Sequence, residues 1–210
     1  MTAEGTPVRI VRNAETNLGD LCADAYRALS NADIAFVNGG GIRKQIEAGD
    51  ITLDDIYSVH PFGNTMCVIR VTGQQVLDAL EWGARAVPSE NGGFLQVSGL
   101  TYEIHTGVAS SAEKDENGMF TRVSGEYRVK NVMVGGQPLE LDKTYTLASH
   151  NYMLLGHGDG YTMFDGCEVL GEDMMVDNQV LITYITTTLG GVVGEQYANP
   201  YGDGRIVAVE

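Results

Sequence analysis

Three short stretches of the 210-residue chain collect side chains of the kind that hold a small charged molecule. The first is Asn38-Gly39-Gly40-Gly41-Ile42-Arg43. Adjacent glycines let a ligand edge approach the main chain, and free N–H groups there can bind an anion. Arg43 can offer two parallel N–H bonds to a phosphate or carboxylate. Asn38 supplies a donor and an acceptor, the equipment for reading a base or a ribose. The competing reading is an ordinary turn with a surface arginine. The second stretch, His60-Pro61-Phe62-Gly63-Asn64-Thr65, puts Phe62 in a turn, where its ring is either a core plug or an exposed stacking face. In the third, residues 149–164, Gly156, Gly158 and Gly160 alternate with His157 and Asp159, and Tyr152 and Tyr161 flank them. A carboxylate on a glycine-rich loop can accept hydrogen bonds from sugar hydroxyls. The competing reading is a calcium-free, solvent-exposed turn. Taken together, the stretches supply arginine, asparagine, carboxylate and aromatic rings on loops. That inventory suits a nucleotide, since stacking on an aromatic ring is worth about 1–3 kcal/mol per base.

Elements of regular structure must position these loops. Residues 8–13 read as a short strand. Over residues 15–30, Leu18, Leu21, Cys22, Ala25 and Leu29 recur at helical spacing, with Asn17 and Asp20 as the N-cap pair. A strand over 33–38 ends at the glycine run. Residues 51–59 read as a short helix capped by Thr52, and 65–71 as a strand rich in β-branched residues. Residues 72–87 give the clearest helix, opened by a Thr72–Gln75 capping box with Val76, Leu77, Leu80 and Ala84 on its stripe. Strands are expected over 93–104, 127–134 and 144–152, with a hairpin turn at 135–138. The polar, turn-rich residues 107–125 are expected to form a mobile insertion in a hairpin. A last helix over 177–190, capped by Asp177, precedes a closing strand at 204–209. Early helices and middle strands indicate an α+β fold, a mixed sheet with packed helices in a single domain over 1–210.

Composition excludes several classes. The net charge is −15, from 28 acidic and 13 basic residues, which argues against a nucleic-acid partner. Residues 1–45 hold five basic and five acidic residues, so the rest of the chain carries the whole excess. A small anion is best tolerated at the N-terminal end. No apolar run approaches the roughly 20 residues that span a bilayer, and residues 1–14 lack the pattern of a secretion leader. Cys22, Cys67 and Cys167 are odd in number and far apart, neither a disulfide framework nor a zinc site. His60, His105, His150 and His157 are scattered without metal-ligand spacing, so no metal is expected on this chain. Walker, Rossmann and GxSxG patterns are missing too.

The stretches RNAETNLGDLCADA, ADIAFVNGGGIR, GDITLDDIYSVHPFGNT, VTGQQVLDALE, GGFLQVSGLTYEI and YTLASHNYM…GDGY follow one another in this order. In that order they resemble the C-terminal domain of the 5′-nucleotidase family, which includes UDP-sugar hydrolases and cyclic-phosphodiesterase/3′-nucleotidases. The resemblance implies a substrate-binding domain. Its catalytic partner is an N-terminal metallophosphatase domain with two divalent metal ions, whose ligand motifs are not in this chain. Hydrolysis by this chain alone is therefore not expected, and the full-length protein is expected outside the cytoplasm, periplasmic, cell-wall or secreted. By the same resemblance, Arg12 and Arg43 face phosphate and Asn38 contacts the nucleoside. Phe62 is the first base-stacking ring, Asp159 takes the ribose hydroxyls, and Gly39, Gly40, Gly41, Gly158 and Gly160 support the loops. The family run is N-F-x-x-x-G-G-D-G; here one residue is added between Asn151 and Asp159, and His157 replaces a glycine. Tyr152 is the second ring if the asparagine is aligned, Met153 if the aspartate is. Tyr152 is favoured because stacking needs an aromatic face. A domain that keeps the fold as a non-catalytic interaction surface is the alternative.

Overall fold

The computed structural model describes residues 8–210; residues 1–7, half of the stretch read as lacking a leader, lie outside the described residues. Its centre is β1 (Ile34–Asn38), buried on both faces. Side chains alternate across a strand, so Ile34 and Phe36 join one apolar core, while Ala35 and Val37 join another. β1 pairs in parallel with β9 (Thr144–His150) and antiparallel with β3 (Leu95–Ser98). With β2 (Met66–Thr72) and β10 (Glu168–Gly171) they form a five-stranded sheet of order β10-β2-β9-β1-β3. α1 (Asn17–Ser30) and α5 (Asp177–Thr183) cover the Ala35/Val37 face. The other face packs on α3 (Gly73–Ala84) and on a second sheet. That sheet has β4 (Leu100–His105) between β11 (Ile206–Val209) and β7 (Val129–Val134), with β8 (Gln137–Pro138) at its edge. The α+β expectation therefore holds, with helices on one side of the main sheet and a helix plus a second sheet on the other.

Local chemistry explains the helix starts. α2 (Leu53–Val59) begins at Thr52 and α3 at Thr72, each through the reciprocal capping box that satisfies two otherwise free N–H groups. Three expectations are corrected. Residues 8–13 are not a strand: Ile10–Arg12 form a 3₁₀ turn. The carbonyls of Val11 and Arg12 are occupied by Gln96 Nε2 and the Asn91 N–H, which leaves no ladder to join. α1 is capped by Thr16, whose hydroxyl accepts from the Gly19 N–H; the Asn17 side chain instead donates to the Tyr197 carbonyl. Asp177 is the first residue of α5 rather than its cap, with Val176 in the capping position. β10 was not foreseen.

Residues 107–125, expected as a mobile insertion, lie between β4 and β7, which pair with each other. They contain a two-stranded ribbon of β5 (Ala112–Lys114) and β6 (Phe120–Val123). Phe120 is buried and meets Trp82 edge-on, ring centroids 5.7 Å apart.

Candidate functional site

All six side chains expected to bind a ligand line one cleft of about 360 Å³: Arg12, Asn38, Arg43, Phe62, Tyr152 and Asp159. Gly40, Gly41, Asn64 and Gly92 complete the lining. The volume lies within the range of small-molecule pockets, about 300–1,000 Å³.

Arg12 stands on the 3₁₀ turn. Gln96, buried in β3, pins that turn by donating Nε2 to the carbonyls of Val11 (3.1 Å) and Ala14 (2.7 Å). The Nε of Arg12 is buried without a hydrogen-bond partner among the described residues. Burial, then the nearby Arg9 and Arg43 charges, push the Arg12 guanidinium below its ordinary pKa. A buried donor without a partner is costly, and an anion would relieve it.

The glycine run works by close approach of main chain to main chain. A Cβ on Gly39 would overlap the Val11 carbonyl oxygen, and one on Gly40 would lie 2.9 Å from the Gly92 oxygen. The Gly40 N–H donates to that same oxygen at 2.7 Å. Thus Gly39 lets the loop seat against the Arg12 turn, while Gly40 and Gly41 reach the cleft. Arg43 leaves the loop with its guanidinium donating to the Gly40 carbonyl (3.2 Å) and lying 5.7 Å from the Phe62 ring centre. Phe62 is 60% exposed, so its ring is open at the cleft and is not a core plug.

The opposite loop follows β9 and α4 (Asn151–Leu154). Tyr152 is 44% exposed at the cleft, whereas Met153 is fully buried in the core. Of the two candidate positions for a second ring, only Tyr152 can present a face. Tyr161, the other flanking aromatic, is buried with its hydroxyl bonded to the Gly93 carbonyl, and does not line the cleft. A Cβ on Gly158 would overlap the Tyr152 ring, so that glycine sets the ring's position. Asp159 sits at φ 55°, a left-handed conformation that asparagine and aspartate tolerate better than most residues. Its backbone carbonyl accepts from Trp82 Nε1 at 2.9 Å. Its carboxylate accepts from Asn38 Nδ2 (2.5 Å) and from the Tyr152 hydroxyl (3.3 Å).

Beneath the cleft, His60 and His150 are buried, and burial pushes each imidazole down to about 4. Both are neutral at physiological pH. Gln96, Asn64, Gly92 and His150 were not foreseen as parts of the site. A polar Gln96 inside the apolar run 94–97 was the one available signal.

The cleft has one carboxylate among two guanidinium groups, which is no donor set for a pair of divalent cations. Among the described residues, Glu15, Asp20 and Asp203 form the only group of three potential metal ligands, and none of them lines the cleft. Among the described residues, no helix is long and apolar enough to cross a membrane.

Comparison with known proteins gives a consistent result. Residues 1–166 match the family model described as 5′-nucleotidase, C-terminal domain. The chain is 36% identical over 203 residues to the trifunctional nucleotide phosphoesterase protein YfkN of Bacillus subtilis, covering 95% of this chain and 13% of that protein. It is 34% identical over 176 residues to the 5′-nucleotidase of Vibrio cholerae, covering 84% of this chain and 28% of that protein. The crystal structure of a 5′-nucleotidase precursor from Thermus thermophilus superposes with a TM-score of 0.79 at 32% identity, covering 96% of this chain and 37% of that one. The chain thus spans well under half the length of each of these relatives.

Proposed function

This chain belongs to the family of 5′-nucleotidase C-terminal domains, and on that premise we propose that its cleft is the nucleotide-recognition site of a 5′-nucleotidase-type phosphoesterase. The phosphate ester it presents is hydrolysed at a two-metal centre in a separate N-terminal domain. Arg12 and Arg43 take the phosphate, Phe62 and Tyr152 stack on the base, Asn38 contacts the nucleoside, and Asp159 accepts the ribose hydroxyls. The observation that carries this reading is the convergence of two guanidinium groups, one carboxylate and two exposed rings on a single cleft. Each of these groups meets a different part of a nucleotide. The relatives named as nucleotidases support it, and the length they have beyond this chain leaves room for the catalytic domain. The full-length protein acts outside the cytoplasm, in keeping with a relative named as a precursor.

Ligand-observed NMR with AMP, UMP and adenosine, on this chain and on Phe62→Ala, tests the proposal. Saturation transfer to the base protons with the wild type, abolished in the variant, is the expected result. If no ligand binds to the wild type, the cleft is not a nucleotide site on this chain, and the interaction-domain reading replaces it.

A further inference from the structure

His150 ends β9 beneath the cleft and is 2% exposed. It touches two cleft residues at once. Its ring lies 5.9 Å from that of Tyr152, and its Nε2 is 2.9 Å from Asn38 Oδ1. The direction of each hydrogen bond can be deduced. The Asn38 amide nitrogen donates to Asp159 Oδ2 at 2.5 Å. Asn38 therefore turns its oxygen to His150. A carbonyl oxygen only accepts, so the neutral imidazole carries its proton on Nε2. The main chain covers the same oxygen, since a Cβ on Gly41 would lie 2.7 Å from it.

We infer that His150 sets the selectivity of the cleft by donating Nε2–H to Asn38 Oδ1, so that Asn38 presents amide N–H, and no free amide oxygen, beside the Asp159 carboxylate. The inference rests on the nucleotide reading of the site. The amide of Asn38 has one hydrogen committed to Asp159 and one left for a ligand. A base edge facing it must therefore be an acceptor, a ring nitrogen or a carbonyl oxygen. Asp159, held by Asn38 and Tyr152, keeps a lone pair on each oxygen for a vicinal diol. Without the imidazole N–H, the amide is free to rotate and Asp159 loses its fixed donor. His150 acts through Asn38 and is a positioning residue.

The test uses the full chain and four readouts. Imidazole ¹⁵N shifts of the wild type report which nitrogen carries the proton; a proton on Nδ1 overturns the inference without any variant. Affinities for adenosine and 2′,3′-dideoxyadenosine are then compared in wild type, His150→Phe and His150→Gln. The wild type is expected to prefer adenosine. His150→Phe should cut that preference about tenfold, almost wholly through adenosine, the scale of a lost hydrogen bond to a charged group. His150→Gln, which retains an N–H donor, should recover much of it. Exchange of the Asn38 side-chain amide protons should quicken in His150→Phe only. Equal weakening of both nucleosides, or an unchanged ratio, would assign His150 a purely structural role. If the wild type binds neither nucleoside, the nucleotide reading falls and the selectivity with it. The ¹⁵N shifts and amide exchange then still decide whether the imidazole holds Asn38.

Discussion

The two arginines of the cleft are held differently. Arg43 has a carbonyl partner and an aromatic neighbour, whereas Arg12 has a buried Nε with no partner among the described residues. Arg43→Ala should therefore weaken AMP about tenfold or more while adenosine changes little, measured by titration. Equal loss for both would remove Arg43 from the phosphate role. Asp20 supplies a second residue-scale prediction. Burial raises its carboxyl to about 8, against Arg205 and with the help of Glu15. Unfolded, it ionises near 3.8, so between these values the folded chain holds one extra proton and loses about 1.4 kcal/mol of stability per pH unit as pH rises. Burial pushes Asp177 up to about 6, so it adds to that slope only below pH 6. His60 and His150 act oppositely: held near 4 and unfolded near 6.5, they make stability rise with pH only in that interval. From pH 6.5 to 8 the Asp20 slope stands alone among these four groups. Thermal melts should show Tm falling across that window and Asp20→Asn flattening the fall. At this scale the sequence was most legible where a side chain faces the cleft directly: Arg12, Asn38, Arg43, Phe62, Tyr152 and Asp159 all reach it. Residues that act through another, such as Gln96 and His150, were barely legible, because their hydrogen-bond partners lie 80 or more positions away.

The β5–β6 ribbon braces the Asp159 loop from behind. Phe120 packs on Trp82, and Trp82 donates to the Asp159 carbonyl. The Phe120 carbonyl accepts from Thr162, and a Cβ on Gly160 would lie 2.9 Å from the Gly118 oxygen. Phe120→Ala should cost about 3 kcal/mol in denaturant unfolding and also weaken adenosine several-fold. Loss of stability with unchanged affinity would separate the ribbon from the site. Elements opened by contiguous signals were readable, α2 by its Thr52 cap and α3 by its capping box above all. The turn at Ile10–Arg12 was not, since Gln96 and Asn91 decide it. β10, a four-residue edge strand with mostly exposed side chains, buries too little to show an apolar pattern.

The molecule is closed by a carboxylate. Glu15 is buried, and it accepts from the backbone N–H groups of Asp203 (2.6 Å), Gly204 (3.0 Å) and Ile206 (2.7 Å). Arg205 adds a paired contact to Asp24 of α1, 2.7 and 2.9 Å. Glu15→Ala leaves three N–H groups without their acceptor, a loss of about 3 kcal/mol or more. Hydrogen exchange should show β11 opening first; uniform protection across both sheets would sink this account. The Glu15 clasp also bears on how the chain is made. Its partners lie 188 to 191 residues later in sequence, and β1 waits for β9 over a hundred residues away. During vectorial synthesis the first helix and strand emerge long before anything can seal them. The cleft can form only after Asp159 has left the ribosome, and a nascent chain stopped before residue 203 would still lack the Glu15 lock.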